Sequence, residues 1–249
     1  MNMTHTTSAQ AQGKRPAQED FFTIIPCEGN ALLIAVLDGH NGAGVARWCA
    51  EHIPMLFPQD IAATDPQKAL ASLMSKLDEN TREMNSGSTI SAVYATPHKA
   101  YAAYLGDSPI IIKNAAGQTI TSNQHNVRSN QMERELGIAR GGEYSEGYLV
   151  HPETNEGLQL GRALGDRDIG AIISHEPEFL ETDLGPESFI IVCSDGLLDP
   201  AHESAEHHLI PEAVSLVENG ASAQDLLEWT ESLDLLEDNA TVIVWRPKK

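Results

Sequence analysis

The sequence predicts an α+β fold in which a mostly antiparallel sheet system is flanked by helices. Three observations carry that expectation. Short strand-like runs follow one another at hairpin spacing between residues 88 and 121, with no helix between them. Stretches of helical period are inserted between such sets of strands. A doubly wound parallel fold needs regular strand–helix alternation, and residues 88–121 break it.

Residues 1–13 are polar and without periodicity, and read as a flexible N-terminal arm. Phe21–Ile25 and Ala31–Leu37 read as strands joined by a turn at Glu28-Gly29-Asn30. In Val45–Leu56, Val45, Trp48, Cys49, Ile53 and Leu56 recur near the helical period, and Pro58 stops the run. Pro66–Met84 is a second helix, with Ala69, Leu70, Leu73, Met74 and Leu77 on one face. Strands follow at Thr89–Ala95, Ala100–Leu105, Pro109–Lys113 and Thr119–Thr121, separated by turns at Thr96-Pro97, Gly106-Asp107 and Ala116-Gly117. Asn130–Leu136 is a short helix. Residues 137–158, with five glycines and little periodicity, read as a mobile surface excursion. Phe189–Cys193 is a continuous apolar strand, Pro211–Glu218 and Ala223–Leu235 are helices, and Ala240–Trp245 is the closing strand. The 249 residues fit one large domain or two small ones, and no internal repeat is present.

Charge narrows the function. Asp and Glu number 36 against 16 Lys and Arg, a net charge of −20. Phosphate contacts need basic residues, so a nucleic-acid binder is excluded, as is a protein held on anionic lipid by charge. The longest apolar runs fall far short of a membrane span, and the first 20 residues lack the apolar core of a secretory signal. Cys27, Cys49 and Cys193 are far apart and odd in number, which reads as small buried hydrophobes in a reducing cytoplasm.

Carboxylates recur at strand ends, beside glycines or small turns: Glu19-Asp20, Asp38-Gly39-His40, Gly106-Asp107-Ser108, Asp195-Gly196 and Glu237-Asp238-Asn239. A carboxylate at the end of an apolar strand sits at the rim of the core in a fixed position. Several such rims meeting at one edge repel one another unless a cation is bound. Oxygen ligands with no Cys and little His select hard divalent ions. Each motif alone is weak, because Asp-Gly is an ordinary turn dipeptide. The order of the motifs is more specific.

That order runs Arg15-Pro-Ala-Gln-Glu19-Asp20, Val36-Leu37-Asp38-Gly39-His40-Asn41-Gly42, Ser86-Gly87-Ser88-Thr89 and Leu105-Gly106-Asp107-Ser108. It continues through Leu160-Gly161-Arg162-Ala163-Leu164-Gly165-Asp166, Val192-Cys193-Ser194-Asp195-Gly196-Leu197-Leu198-Asp199 and Asp238-Asn239-Ala240-Thr241-Val242. In order and spacing the set resembles the metal-dependent protein phosphatases of the 2C type, the serine/threonine phosphatases also called the PPM family. The resemblance runs from Arg15 to Trp245. It implies a central sandwich of two antiparallel β-sheets flanked by α-helix pairs, in four layers α-β-β-α, with a metal site at one end. It implies one phosphatase domain over residues 14–249, with the variable flap of the family near 137–158.

The resemblance also implies chemistry: hydrolysis of phosphoserine and phosphothreonine by a metal-activated water held between two divalent ions, Mg²⁺ or Mn²⁺. Asp38 matches the carboxylate bridging both ions. Asp195 and Asp238 match ligands of one, Glu19 and the Gly39 carbonyl those of the other, and Asp20 a residue holding water on the ion. Asp107 and Asp199, with Asp195, match the ligands of a third ion. Arg15 matches the phosphate-binding arginine, whose planar fork suits two phosphate oxygens, and His40 the general acid. Two ions about 3.5–4 Å apart can lower the pKa of a shared water and aim it at phosphorus, and a histidine near neutral pKa can protonate a departing alkoxide. The implied partners are phosphorylated proteins and their cognate kinase, and the implied state is a monomer acting in signalling.

Asn41-Gly42, Pro109 and Ala240 depart from the usual family residues, and none is an expected ligand. The His202…His207-His208 cluster has no metal-site spacing and reads as solvated surface. A pseudophosphatase would have lost metal carboxylates, which are all present here. A hydrolase of a small phosphorylated metabolite would use the same ligand set, so the residues leave that alternative open.

Overall fold

The computed structural model describes residues 4–201, 207–233 and 236–247. Two five-stranded antiparallel sheets dominate it. The first has the order β1 (Thr4–Ala11), β16 (Ala240–Pro247), β15 (Phe189–Cys193), β8 (Ile110–Lys113) and β9 (Thr119–Thr121). The second has the order β14 (Glu178–Asp183), β7 (Lys99–Leu105), β6 (Ile90–Ala95), β3 (Leu32–Leu37) and β2 (Phe21–Pro26). Two three-stranded sheets are smaller: β13 (Leu164–Gly165), β5 (Gly87–Ser88) and β4 (Gly39–His40); and β10 (Glu143–Ser145), β11 (Tyr148–Val150) and β12 (Gly157–Leu158). The helices among the described residues are α1 (Gly44–Leu56), α2 (Gln59–Ala62), α3 (Pro66–Thr81), α4 (Gln131–Ala139), α5 (Ile210–Glu218) and α6 (Ala223–Ser232).

The continuous apolar runs explain the layering. Side chains alternate across a strand, so a run apolar at every position must be covered on both faces. Leu33, Ala35 and Leu37 of β3 pack with α1 and α3, through Val45, Cys49, Ile53, Leu70, Leu73 and Leu77. Leu32, Ile34 and Val36 point the other way and meet Ile190, Val192, Ile243 and Trp245 of the facing sheet. On the far side Phe189, Ile191, Val242 and Val244 pack with Ala213 and Val217 of α5 and Leu226 and Leu227 of α6. Full burial of such a side chain stabilises by about 1.5–3 kcal/mol. The result is the expected sandwich of two antiparallel sheets between helix layers.

Helix starts follow local chemistry. Asp65 accepts a hydrogen bond from the Lys68 N–H ahead of Pro66, which suits the first turn because it has no N–H to satisfy. Asn130 caps α4 by accepting from Met132 and Glu133, so the predicted helix start is in fact its cap. Ser222 and Asp225 form a reciprocal capping box on α6.

Two expectations need correction. The segment read as a flexible arm contains β1, which pairs with β16 from Thr4↔Pro247 to Ala11↔Ala240. An edge strand needs backbone partners and few buried side chains, so its polar sequence concealed it; Ala9 is its one deeply buried residue among those described. The 137–158 segment is not structureless, for it carries the end of α4 and the β10–β11–β12 sheet, with Leu149 and Leu158 buried in a small cluster with Val127 and Ile172. Strands of two or three residues leave too short a pattern to read. Among the described residues no helix is long and apolar enough to cross a membrane.

Candidate active site

Strand ends build the site. Asp38 follows β3, Asp107 lies in the turn between β7 and β8, Asp195 follows β15 by two residues, and Asp238 precedes β16 by two. Because β3 lies in one sheet and β15 and β16 in the other, the carboxylates approach from both layers. They line one cavity of about 290 Å³. Eight of the ten residues nominated from sequence line it: Arg15, Glu19, Asp38, Gly39, His40, Asp107, Asp195 and Asp238. The other two, Asp20 and Asp199, are buried and are not among its lining residues.

Backbone and uncharged side chains hold these groups. Thr89 Oγ1 accepts from the Asp38 N–H at 3.1 Å, and the Asp38 carbonyl accepts from the Thr89 N–H at 2.9 Å. The Gly39 N–H donates to the Glu19 carbonyl, and a Cβ at Gly39 would lie 2.5 Å from that oxygen, so only glycine permits the approach. Asn126 Nδ2 donates to Asp107 Oδ2 at 2.8 Å, while His125 Nδ1 accepts from the Gly106 N–H at 3.0 Å. Asn239 clamps the N-terminal segment: its Oδ1 accepts from the Glu19 N–H at 2.7 Å, and its Nδ2 donates to the carbonyls of Gln12 and Ala17. Arg15, about half exposed at the rim, donates to Asp238 Oδ2 at 2.5 Å. His40 Nε2 meets Asp166 Oδ2 at 2.6 Å.

The electrostatics are those of a site short of positive charge. Burial, and then the neighbouring charges of Asp20, Asp195, Asp238 and Asp107, push the Asp38 carboxyl well above the ordinary carboxylate range. Burial, then Asp107 and Asp238, do the same to Asp195. Burial pushes Asp20 up to about 6, although Ser194 Oγ donates to its Oδ2 at 2.7 Å. Its other oxygen, Oδ1, is buried with no hydrogen-bond partner. An all-oxygen donor set, mutually repelling and with an orphaned buried oxygen behind it, fits a hard divalent cation.

A second cluster shows the contrast. Ligand-type atoms of His125, Glu133 and Glu178 lie within 4.8 Å of one another. Arg162 Nη2 already donates to Glu133 Oε1 at 2.6 Å and to Glu178 Oε1 at 3.1 Å. Here the protein supplies the cation itself.

Sequence reading missed Thr89, His125, Asn126, Asp166 and Asn239 as supports. Only the placement of Asn239, Asp166 and Thr89 inside quoted motifs could have drawn notice to them. His207 is a correction. It is buried rather than solvated, with Nδ1 2.6 Å from Gln124 Nε2, and burial lowers its pKa against the pull of Asp107 and Asp199. His208 is exposed as expected, and His202 lies outside the described residues.

Known proteins share this fold. The family model described as Protein phosphatase 2C matches residues 5–226. A probable protein phosphatase 2C 11 from Arabidopsis thaliana is 28% identical over 200 residues, covering 75% of this chain and 52% of the relative. The chain spans only 33% to 52% of the length of such curated relatives. Among solved structures, the Mycobacterium tuberculosis serine/threonine phosphatase PstP/Ppp aligns with a TM-score of 0.68 at 19% identity, over 99% of both chains. The catalytic domain of PstP in complex with two manganese ions aligns at 0.63 and 19%, again over 99% of both.

Proposed function

The chain belongs to the protein phosphatase 2C family, and from that premise we propose that it hydrolyses phosphoserine and phosphothreonine in proteins with the help of bound Mg²⁺ or Mn²⁺. One observation carries the reading: five carboxylates, one arginine and one histidine from separate elements converge on a single cavity. In this reading Asp38 would serve both of two ions, Asp195 and Asp238 one of them, and Glu19 and the Gly39 carbonyl the other, with Asp20 supporting them from behind. Asp107, Asp195 and Asp199 hold a third ion. Two ions held there supply a nucleophilic water of lowered pKa and offset the charge on the phosphoryl group.

The protein's own groups do the rest. Arg15, exposed at the rim, leaves Asp238 and takes two phosphate oxygens in its planar fork. Asn239 holds segment 12–19 so that Arg15 and Glu19 arrive together. His40, on the cavity wall, gives a proton to the departing serine oxygen. The two sheets and the β10–β11–β12 flap form one catalytic domain, in which Tyr148 of the flap lines the cavity wall. The phosphorylated protein and its cognate kinase are the implied partners, the chain acting as a cytoplasmic monomer.

The leaving group tests this mechanism. EDTA should abolish turnover of a phosphoserine peptide and of p-nitrophenyl phosphate, and Mn²⁺ should restore both. Serine alkoxide leaves badly unless protonated, whereas nitrophenolate needs no proton. His40→Ala should therefore cost about 10²–10⁴-fold on the peptide and much less on p-nitrophenyl phosphate. Equal losses would remove His40 from the role of acid, and substantial metal-free turnover would end the assignment. A phosphorylated metabolite turned over much faster than phosphopeptides would move the substrate class.

A further inference from the structure

The histidine that faces the cavity is held from behind by a residue with no part in metal or phosphate binding. His40 of β4 stands opposite Gly87 of β5, and on the other side of β5 Gly165 of β13 stands opposite the same glycine. Three very short strands therefore set His40 and Asp166, the residue after Gly165, on the two flanks of Gly87. Their side chains meet over it, with His40 Nε2 and Asp166 Oδ2 2.6 Å apart. A Cβ at Gly87 would lie 2.1 Å from each of those two atoms, so the glycine clears the space in which they touch.

Asp166 is built for one position. Its side chain is 1% exposed against 20% for His40, so the carboxylate is closed to solvent and the ring is not. Its backbone sits in the left-handed region at φ 54°, which few residues other than glycine, asparagine and aspartate adopt. The Asp166 N–H donates to the Ser86 carbonyl at 3.1 Å, and its own carbonyl accepts from the Ile169 N–H at 3.0 Å. A buried carboxylate–histidine pair is a poor device for stability alone, because desolvation offsets the attraction. It is a good device for fixing a ring and its tautomer.

We propose that Asp166 is the positioning residue of His40, orienting the imidazole and keeping a proton on Nε2, so that Nδ1 is the nitrogen that serves the substrate. The inference rests on the reading of His40 as the acid. In that step the Nδ1–H bond breaks, its electron pair stays on the ring, and the proton forms the O–H bond of the departing serine. The ring enters that step as imidazolium, Nδ1 of the neutral resting form having first taken its proton from solvent water, and is left neutral with Nε2–H still donated to Asp166.

The test has three arms. Long-range ¹H–¹⁵N spectra of the Mg²⁺-loaded protein, with His40 assigned by comparison with His40→Ala, should show the neutral ring protonated on Nε2. Asp166→Asn, which keeps the size and tolerates the left-handed backbone, should erode that preference. It should lower kcat on a phosphoserine peptide by about 10–100-fold, with KM within about twofold and p-nitrophenyl phosphate turnover nearly unchanged. Gly87→Ala, which leaves both side chains present but forces them apart, should reproduce this loss. In a His40→Ala background Asp166→Asn should cost nothing more. A wild-type ring protonated on Nδ1, an unchanged kcat in Asp166→Asn, or an equal cost in the His40→Ala background would each overturn the proposal. If His40→Ala instead loses equally on both substrates, the acid reading falls, while the tautomer and the double substitution still decide whether Asp166 positions the ring.

Discussion

Without metal, the protein should be destabilised by its own active site, in a way that pH exposes. The perturbation is Asp20→Asn, compared with the parent chain in EDTA. Burial raises the Asp20 carboxyl from 3.8 to about 6, so between those values the folded chain keeps a proton that the unfolded chain has released. Stability from this group is therefore lost as pH rises through the window, the reverse of the usual salt-bridged carboxylate. Roughly two pH units at about 1.4 kcal/mol each give about 3 kcal/mol of destabilisation above pH ~6. At about 2–4 °C per kcal/mol for a domain of this size, that is roughly 6–12 °C in Tm. Asparagine keeps an oxygen for the Ser194 hydroxyl and carries no charge, so it should remove the penalty. Thermal melts in EDTA from pH 4.5 to 7.5 should show the Tm of Asp20→Asn pulling ahead of the parent as pH rises, levelling off near pH 6.5. Adding Mn²⁺ at a thousandfold excess over Kd should reverse the order, since binding then contributes about 4.1 kcal/mol to the chain that keeps its carboxylate, more than the penalty. A difference that is flat with pH, or that widens as pH falls, would refute the reasoning.

Three further outcomes follow from the same geometry. Asp107→Ala should lower activity while calorimetry in Mn²⁺ still counts two ions; loss of both would mean that Asp107 belongs to the core pair. Asn239→Ala frees the Glu19 N–H and the Gln12 and Ala17 carbonyls, and should cost about 1–3 kcal/mol in urea unfolding while weakening inorganic phosphate binding by displacing Arg15. Arg162→Met leaves Glu133, 2% exposed, without its cation, and should cost about 3–5 kcal/mol; adding Glu133→Gln should recover part of the loss in the same unfolding measurement.

Much of the fold was legible because it was written locally. Phe189–Cys193 and the Ala31–Leu37 run are apolar at successive positions, and such runs must be covered twice, which already implies layers on both sides of a sheet. The helices carried their period and their caps. What was illegible had no local pattern. β1 is polar because one of its faces is solvent, and it is ordered by its register with β16, more than 200 residues away. β14 alternates half-buried and exposed positions and includes three acidic residues, which reads as loop until β7 lies beside it. β4, β5 and β13 are two residues each, below the length at which alternation exists.

The site divides along the same line. Its carboxylates could be nominated because a charge at the end of an apolar strand is conspicuous; their supports could not, because Asn239 reaches Glu19 across 220 positions and Asp166 reaches His40 across 126. The supports also set this cluster, proposed above as the cation site, apart from other acidic clusters among the described residues. Around Glu133 and Glu178 the chain provides Arg162, and beside Asp78 it provides Arg82. Around Asp20, Asp38 and Asp107 the partners are Ser194, Thr89 and Asn126, which fix each group and neutralise none. Arg15 is the cation that touches the rim of the set, and it is the group with somewhere else to go, since a phosphate entering the cavity offers it two oxygens in place of one carboxylate. A protein with 20 more acids than bases could have closed this cluster with a single arginine, as it did at Glu133. Holding Asp20 and Asp38 buried beside like charges instead raises their pKa values and lowers the stability of the metal-free fold, a penalty that a bound divalent ion would remove.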